Sequence, residues 1–231
     1  RFDEDARALT PLLDDASVEF LQSIEAPVSP LAMGHVALDM DVFPMDNSQT
    51  HKEGVSYTYK GYDGYAPIAA YLGQEGWCLG CELRPGSQHA NNGFLDTLKR
   101  VLPRARSLTD KPILLRLDSA HDARDNRDFL REQDQIDFLI KWNPRKQDPL
   151  AWADKAQAQK AWTLERDGKM EAVLSEDLPD EPGLRRIVKV TVRTSDAAGQ
   201  LYLEPEVSLE GWITSLPVDE VSDQQVMALY S

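Results

Sequence analysis

Apolar residues near the start of the chain follow a helical period and then give way to a strand pattern. Residues 6–24 place apolar side chains at roughly three- and four-residue intervals, which predicts a helical lead-in that Pro27 and Pro30 end. Residues 35–42 form an apolar run of strand length that two aspartates interrupt. Because carboxylates are costly inside a central strand, this run indicates a site as well as a strand.

The following segment changes from hairpin-like strands to alternating helices and strands. The pattern predicts strands at 65–72 and 77–83, a helix at 90–102 that Pro103 ends, a strand at 113–117, a polar helix at 122–133 and a strand at 136–142. Three antiparallel strands followed by helix, strand, helix and strand predict an α/β fold, a ribonuclease-H-like mixed sheet flanked by helices.

Beyond residue 149 the pattern becomes a charged stretch followed by further strands. Alternation at 186–193 predicts a half-exposed strand, and separate strands are expected at 201–203 and 211–216. Ser222 is the predicted cap of a last helix. The expected organisation is a helical lead-in (1–34), a ribonuclease-H-like core (35–149), a β-rich insertion (150–210), and a return strand with the start of a helix (211–231).

The charge of the 231-residue chain is uneven. Its formal net charge of −14 argues at first against nucleic-acid binding. Residues 1–30 and 176–231 carry −12 of that charge, so the middle of the chain is nearly neutral and remains compatible with DNA. No apolar run approaches the roughly 18 to 20 residues of a membrane-spanning helix, so we expect no membrane association.

Cys78 and Cys81 are separated by two residues within a predicted strand. A tetrahedral zinc site needs a second such pair, which the sequence lacks. We therefore expect two half-buried strand thiols in a reducing compartment, and no metal or redox site.

Three aspartates carry the candidate chemistry. Asp39 and Asp41 are two residues apart in the first strand and point to one face, and Asp118 ends a later strand. Clustered carboxylates in apolar strands need neutralising, and a divalent cation does so directly. Two such ions can hold the attacking and leaving oxygens of a phosphodiester. The alternative is that these acids form turns, with Asp118 acting only as a helix cap.

A series of motifs follows in order along residues 35–145 and again near the end. They are Leu-Asp-Met-Asp at 38–41, His-Lys-Glu-Gly at 51–54, Tyr-Lys-Gly-Tyr at 59–62, Gly-Tyr-Ala-Pro-Ile at 64–68, Leu-Arg-Pro-Gly-Ser at 83–87, His89, Asn92-Gly93, Leu-Arg-Leu-Asp-Ser at 115–119, Asp-Phe-Leu-Ile-Lys at 137–141, Trp-Ile-Thr-Ser-Leu at 212–216 and Ala-Leu-Tyr at 228–230. On these motifs the chain resembles bacterial insertion-sequence transposases with a group-1 DDE domain.

The resemblance implies a catalytic triad of acids that binds two Mg²⁺ or Mn²⁺ ions. It implies Asp41 as the first acid, Asp118 as the second and Asp39 as a neighbouring metal ligand. Val42 and Phe43 stand where the family usually has a small residue and a threonine. Alignment of the first acid to Asp39 therefore stays open.

The third acid of the family belongs to a helical Tyr-Arg-Glu-Lys signature, of which Tyr230 resembles the first member. Its glutamate is expected beyond Ser231. The chain also begins without Met, so both ends look like cuts in a longer protein. By this resemblance, residues 1–231 alone are expected to be inactive in DNA cleavage and strand transfer.

The resemblance also implies double-stranded DNA as the partner, both element ends and target, in the bacterial cytoplasm at the nucleoid. Processing two ends suggests a homodimer on DNA. Cations and rings that could contact phosphate or a base are Lys52, Tyr59, Lys60, Lys141, Arg145 and Lys146. The alternative for each is an ordinary solvated surface.

Two other functions stay open. One is a stand-alone ribonuclease-H-like nuclease, which leaves residues 150–215 unexplained. The other is a decayed, non-catalytic remnant or a DNA-binding module that keeps the fold. His51, His89 and His121 are isolated in sequence, so local polar contacts are expected for them in place of metal binding.

Overall fold

The computed structural model describes residues 2–230, and the surroundings of side chains from residue 8 onward. Two compact units divide the chain, Arg1–Asp137 and Phe138–Ser231. No described helix is long and apolar enough to cross a membrane.

In chain order, the elements of the first unit are α1 (Phe2–Ser23), β1 (Val36–Val42), β2 (Met45–Asp46), β3 (Ser56–Tyr57), β4 (Asp63–Tyr65), β5 (Ile68–Leu72), β6 (Trp77–Glu82), α2 (Phe94–Arg106), β7 (Ile113–Leu117), a 3-10 turn (Ser119–His121) and α3 (Arg124–Arg131).

The main sheet of the first unit has the strand order β6-β5-β1-β7. β1, β5 and β6 are antiparallel neighbours, and β7 runs parallel to β1 on its other side. Leu38, Ile68 and Leu115 are fully buried in this sheet. The prediction of a ribonuclease-H-like mixed sheet flanked by helices is confirmed, because a parallel strand joins three antiparallel ones in the expected order.

A small second sheet forms where the apolar pattern predicts no strand, with the order β2-β4-β3. Its strands are two or three residues long, too short to show alternation. Backbones approach closely here. A Cβ on Gly64 would lie 1.9 Å from the Met45 carbonyl oxygen, and one on Gly86 would lie 2.1 Å from that of Ser56. Only glycine fits at these two positions.

Helix α2 continues through Pro103, which was expected to end it. Proline holds a φ close to the helical value, but inside a helix it lacks the N–H that would donate to the carbonyl oxygen four residues earlier, here that of Lys99. The helix nevertheless continues for three residues past Pro103, and the Ser107 N–H donates to the Pro103 carbonyl oxygen at 3.1 Å. The predicted helix at 122–133 is also shorter, since the 3-10 turn precedes α3.

The second unit contains most of β8 (Ile136–Trp142), then α4 (Pro149–Ala158), β9 (Trp162–Arg166), β10 (Lys169–Asp177), β11 (Arg185–Ser195), β12 (Leu201–Thr214) and α5 (Asp223–Tyr230). Its strands are antiparallel in the order β8-β12-β11-β10-β9. The predicted cap of α5 is confirmed, because the Gln225 N–H donates to Ser222 Oγ at 3.3 Å.

Strand β12 is continuous, where two separate strands were expected. Pro205 looks like a breaker in the sequence. It lies where the register with β11 shifts, between the partners of Arg193 and Ser195, so its missing N–H breaks no regular ladder. The boundary between the two units falls between residues 137 and 138 of the chain, whereas the predicted core ends at residue 149. The division into core and insertion stays a prediction.

Candidate active site

Asp41 and Asp118 lie side by side at one end of the main sheet. Asp41 belongs to β1, Asp118 directly follows β7, and the parallel register pairs Met40 with Leu117. The aspartates are therefore the next residues along neighbouring strands, whose axes are about 4.8 Å apart. Asp118 also caps the 3-10 turn, since its Oδ1 accepts a hydrogen bond from the Ala120 N–H at 3.1 Å. The cap engages Asp118 Oδ1.

Asp39 is held by a cation on the neighbouring strand. The register pairs it with Arg116 of β7, whose Nε and Nη2 donate to its two oxygens at 2.6 Å each. A metal ion at Asp39 would have to compete with this bidentate ion pair, so the geometry favours Asp41 over Asp39 as a ligand. Sequence reasoning did not single out Arg116. The sequence feature that could have identified Arg116 is its position, because it is a cation inside an apolar strand, two residues before Asp118.

The electrostatics of the two carboxylates fit a divalent cation. Burial, and then the negative charge of Asp41, raises the pKa of Asp118, although backbone N–H donors lower it in part. Ionised oxygens that repel one another are the donor set that Mg²⁺ and Mn²⁺ prefer. Within the described residues, no group of three or more His, Cys, Asp or Glu side chains could hold a metal ion. Asp41 and Asp118 therefore supply only part of a ligand shell.

Tyr59 lies close to both carboxylates. Partial burial, and then the charges of Asp41 and Asp118, raises the pKa of Tyr59, while 69% of its surface stays exposed. A tight turn carries it: Thr58 donates to the Tyr62 carbonyl oxygen through both its N–H and its hydroxyl, each at 2.8 Å. The small sheet thus presents an exposed ring beside the two acids.

The other predicted contacts of the first unit are also on the surface. Lys52 and Lys60 are exposed, and Lys60 Nζ lies 5.4 Å from the ring centre of Tyr59. Two cations and one ring therefore belong to the segment next to the carboxylates.

The cations predicted in the second unit differ from one another. Lys141 donates to Glu210, and its Nζ lies 4.4 Å from the ring centre of Trp212, so its charge is already engaged. Arg145 and Lys146 are exposed. Contact with phosphate is therefore easier for Arg145 and Lys146 than for Lys141.

His121 has a different environment from the polar contacts expected for it. It is fully buried, its ring centre lies 4.0 Å from that of Phe94, and neither ring nitrogen has a hydrogen-bond partner among the described residues. Its Nε2 is 3.6 Å from Asp118, too far for a hydrogen bond. Burial, and then the charges of Arg84 and His89, lowers the pKa of His121 to about 4. The ring is therefore neutral at pH 7.

Replacing His121 by Phe is expected to flatten the acid limb of the stability curve. Between pH 6.5 and about 4, His121 binds a proton in the unfolded chain but not in the folded chain. The free energy of unfolding therefore decreases as the pH falls through this window. Over the same window, the free energy of unfolding of the variant should fall by roughly 3 kcal/mol less than that of the parent. Denaturant titrations from pH 7.5 to 4 measure this, with exposed His51→Gln as the matched control. Parallel curves for H121F and the parent would contradict the assignment.

Comparison with known proteins identifies the family of this site. The family model described as transposase DDE domain group 1 matches residues 12–192. The chain belongs to that family. A search of solved structures found a cryo-EM structure of a piggyBac transposase synaptic complex with hairpin DNA, at 11% identity and a TM-score of 0.40. That match covers 87% of this chain but only 37% of the transposase chain. No curated protein matches.

The transposase DDE domain match includes every residue of the candidate site. Asp41, Asp118 and Tyr59 lie within residues 12–192, as do the exposed cations beside them. The final helix α5 lies outside the matched residues. The catalytic and DNA-binding roles of individual residues stay predictions.

Proposed function

We propose that this transposase DDE domain catalyses metal-dependent hydrolysis of a DNA phosphodiester at the end of a bacterial insertion sequence, followed by strand transfer into target DNA. The placement of Asp41 and Asp118 on neighbouring strands carries the proposal. Water and then the freed 3′-hydroxyl are the nucleophiles, so no nucleophilic side chain is needed. The enzyme acts in the cytoplasm, on nucleoid DNA, as a homodimer.

Asp41 and Asp118 would hold Mg²⁺ or Mn²⁺, and a further carboxylate would complete a two-ion site. When bound, the ions neutralise charge on the phosphate and activate the attacking oxygen. The chain's own residues position the DNA. Lys52 and Lys60 contact phosphates, and the exposed ring of Tyr59 stacks on a base next to the scissile bond.

We expect DNA cleavage to depend strictly on a divalent cation. The full-length protein is incubated with a labelled duplex that carries the terminal repeats of its own element, in Mg²⁺, in Mn²⁺ or in EDTA. Cleavage that leaves a 3′-hydroxyl, and joining of that end to a plasmid, are expected only with metal. Residues 1–231 should bind at most one metal ion and should cleave DNA at the background rate, because two carboxylates form only part of the ligand shell.

The same assay distinguishes the alternative function. DNA binding in a gel-shift titration, with no cleavage in either metal, would identify a non-catalytic DNA-binding module that keeps the fold. Cleavage in EDTA at the rate seen with Mg²⁺ would exclude the paired-carboxylate mechanism.

A further inference from the structure

Helix α1 has two apolar faces, of which only one is covered. Val18 and Leu21 are buried on the face that packs on β6, where Ser17 Oγ also donates to the Cys78 carbonyl oxygen at 2.8 Å. The opposite face is exposed. We call it the α1 stripe; its large members, with their exposed fractions, are Leu9 (54%), Leu12 (65%), Leu13 (66%), Phe20 (61%) and Ile24 (50%), and Ala16 lies at its centre. Ile24 directly follows the last residue of α1 and continues its helical path, since its N–H donates to the Phe20 carbonyl oxygen at 3.2 Å.

The α1 stripe is a continuous surface. At 3.6 residues per turn its six residues fall within about 120° of the helix circumference, clear of the face that holds Val18 and Leu21. Given the exposed fractions, the stripe leaves on the order of 600 Å² of apolar surface in water, as large as the largest patches on typical monomers. Such a surface on a folded unit indicates a docking site.

The stripe is complementary to itself when two helices run antiparallel. A two-fold axis at Ala16 pairs residues whose numbers sum to 32, so Leu12 lies opposite Phe20 and Leu9 lies opposite Ser23, next to Ile24. The small Ala16 side chains then meet at the crossing and let the backbones approach. A pair would bury on the order of 1,200 Å², the lower end of the range for stable, specific interfaces.

The charges of α1 favour the antiparallel arrangement. Residues 8–23 contain acids but no lysine or arginine. In a symmetric parallel pair each acid would face its own copy, whereas the antiparallel pair places Glu19 opposite Leu13. Because the acids of the two helices are held apart in this arrangement, their repulsion costs little free energy, and salt screens the repulsion that remains.

We infer that the α1 stripe is the interface through which two copies of this chain form an antiparallel, two-fold dimer. The inference rests on the proposed function only in naming a surface for its homodimer. Its test needs neither DNA nor metal, so failure of one proposal is distinguishable from failure of the other.

The first test measures self-association of residues 1–231 by sedimentation velocity from about 1 to 100 µM. A dimer that tightens as salt rises is expected. Leu13→Glu and Phe20→Glu should each raise the dissociation constant by at least about tenfold, whereas Leu203→Glu, at a fully exposed leucine of β12, should not. Circular dichroism confirms that each variant folds. A monomer throughout, or a dimer that Phe20→Glu leaves unchanged, would overturn the inference.

The second test fixes the orientation by disulfide crosslinking, in a background that carries Cys78→Ser and Cys81→Ser. Ala16→Cys should crosslink two copies because it lies at the two-fold axis. Ser23→Cys should not crosslink with itself, but it should crosslink with Leu9→Cys when the two variants are mixed. Self-crosslinking of Ser23→Cys as readily as Ala16→Cys would show a parallel pair and contradict the arrangement.

Discussion

Replacing Asp118 by Asn is expected to abolish DNA-end cleavage by the full-length protein without destabilising its fold. The rate should fall on the order of 10³-fold or more, because the amide cannot neutralise or hold a divalent cation. Asn keeps the oxygen that accepts from the Ala120 N–H, so the cap survives. Because the pKa of Asp118 is raised in the folded chain, its ionised form opposes folding at pH 7, and Asn removes that cost.

Two further variants separate the roles of the neighbouring aspartates. Asp41→Asn should reproduce the effect of Asp118→Asn on cleavage. Asp39→Asn should mainly lower stability, because Arg116 loses its bidentate partner. Exposed Asp125 on α3 provides the control, since Asp125→Asn should change neither property. Cleavage by Asp41→Asn at the parent rate, with loss in Asp39→Asn, would transfer the first acid to Asp39.

The main sheet was predictable because its strands carry long-range apolar patterns. Residues 113–117 were predicted as a strand with the same bounds as β7, and 136–142 with those of β8. Two aspartates in an apolar run and one at a strand end were also a visible conflict between burial and charge. The fold class and the register between β1 and β7 are enough to place Asp41 and Asp118 on neighbouring strands.

Features that depend on single tertiary contacts were not predictable in this way. The small sheet depends on backbone approach at Gly64 and Gly86, which no periodicity encodes. The burial of His121 against Phe94 pairs residues from separate helical elements. Lys141 looked like a free cation in the sequence, and only the pairing of β8 with β12 brings Glu210 to it.

A buried network around Arg84 is the other feature that sequence patterns missed. Arg84 is 2% exposed; its Nε donates to Glu82 at 2.8 Å, its Nη1 to the Ala90 carbonyl oxygen at 3.2 Å and its Nη2 to Thr97 at 2.7 Å. Burial alone would raise the pKa of Glu82, but Arg84, and the hydrogen bonds from Thr97 and Arg100, lower it. The Leu-Arg-Pro-Gly-Ser motif therefore has a structural role, joining β6 to α2 through its arginine.

Replacing Arg84 by Met should be among the most destabilising substitutions in the first unit. Met fills much of the volume of the side chain but removes the donors that Arg84 supplies to Glu82 Oε1 and to the Ala90 carbonyl oxygen, and leaves Glu82 with only Thr97 and Arg100 as partners. Breaking a buried pair by removing one partner costs about 3 to 5 kcal/mol. The free energy of unfolding, measured by denaturant titration at pH 7, should fall by that amount.

A double-mutant cycle tests whether the loss comes from the Glu82 charge that Arg84 no longer balances. Adding Glu82→Gln to Arg84→Met removes the carboxylate charge that Arg84 had balanced, so the double variant should recover roughly 1 to 2 kcal/mol of the loss. The matched control is Arg124→Met on α3, where the arginine is 61% exposed in its pair with Asp128 and should contribute less than about 1 kcal/mol. If Arg84→Met lowered the free energy of unfolding no more than Arg124→Met, the network around Arg84 would not stabilise the fold. If the double variant recovered nothing, the loss would come from packing and the missing donor to Ala90, and not from the charge of Glu82.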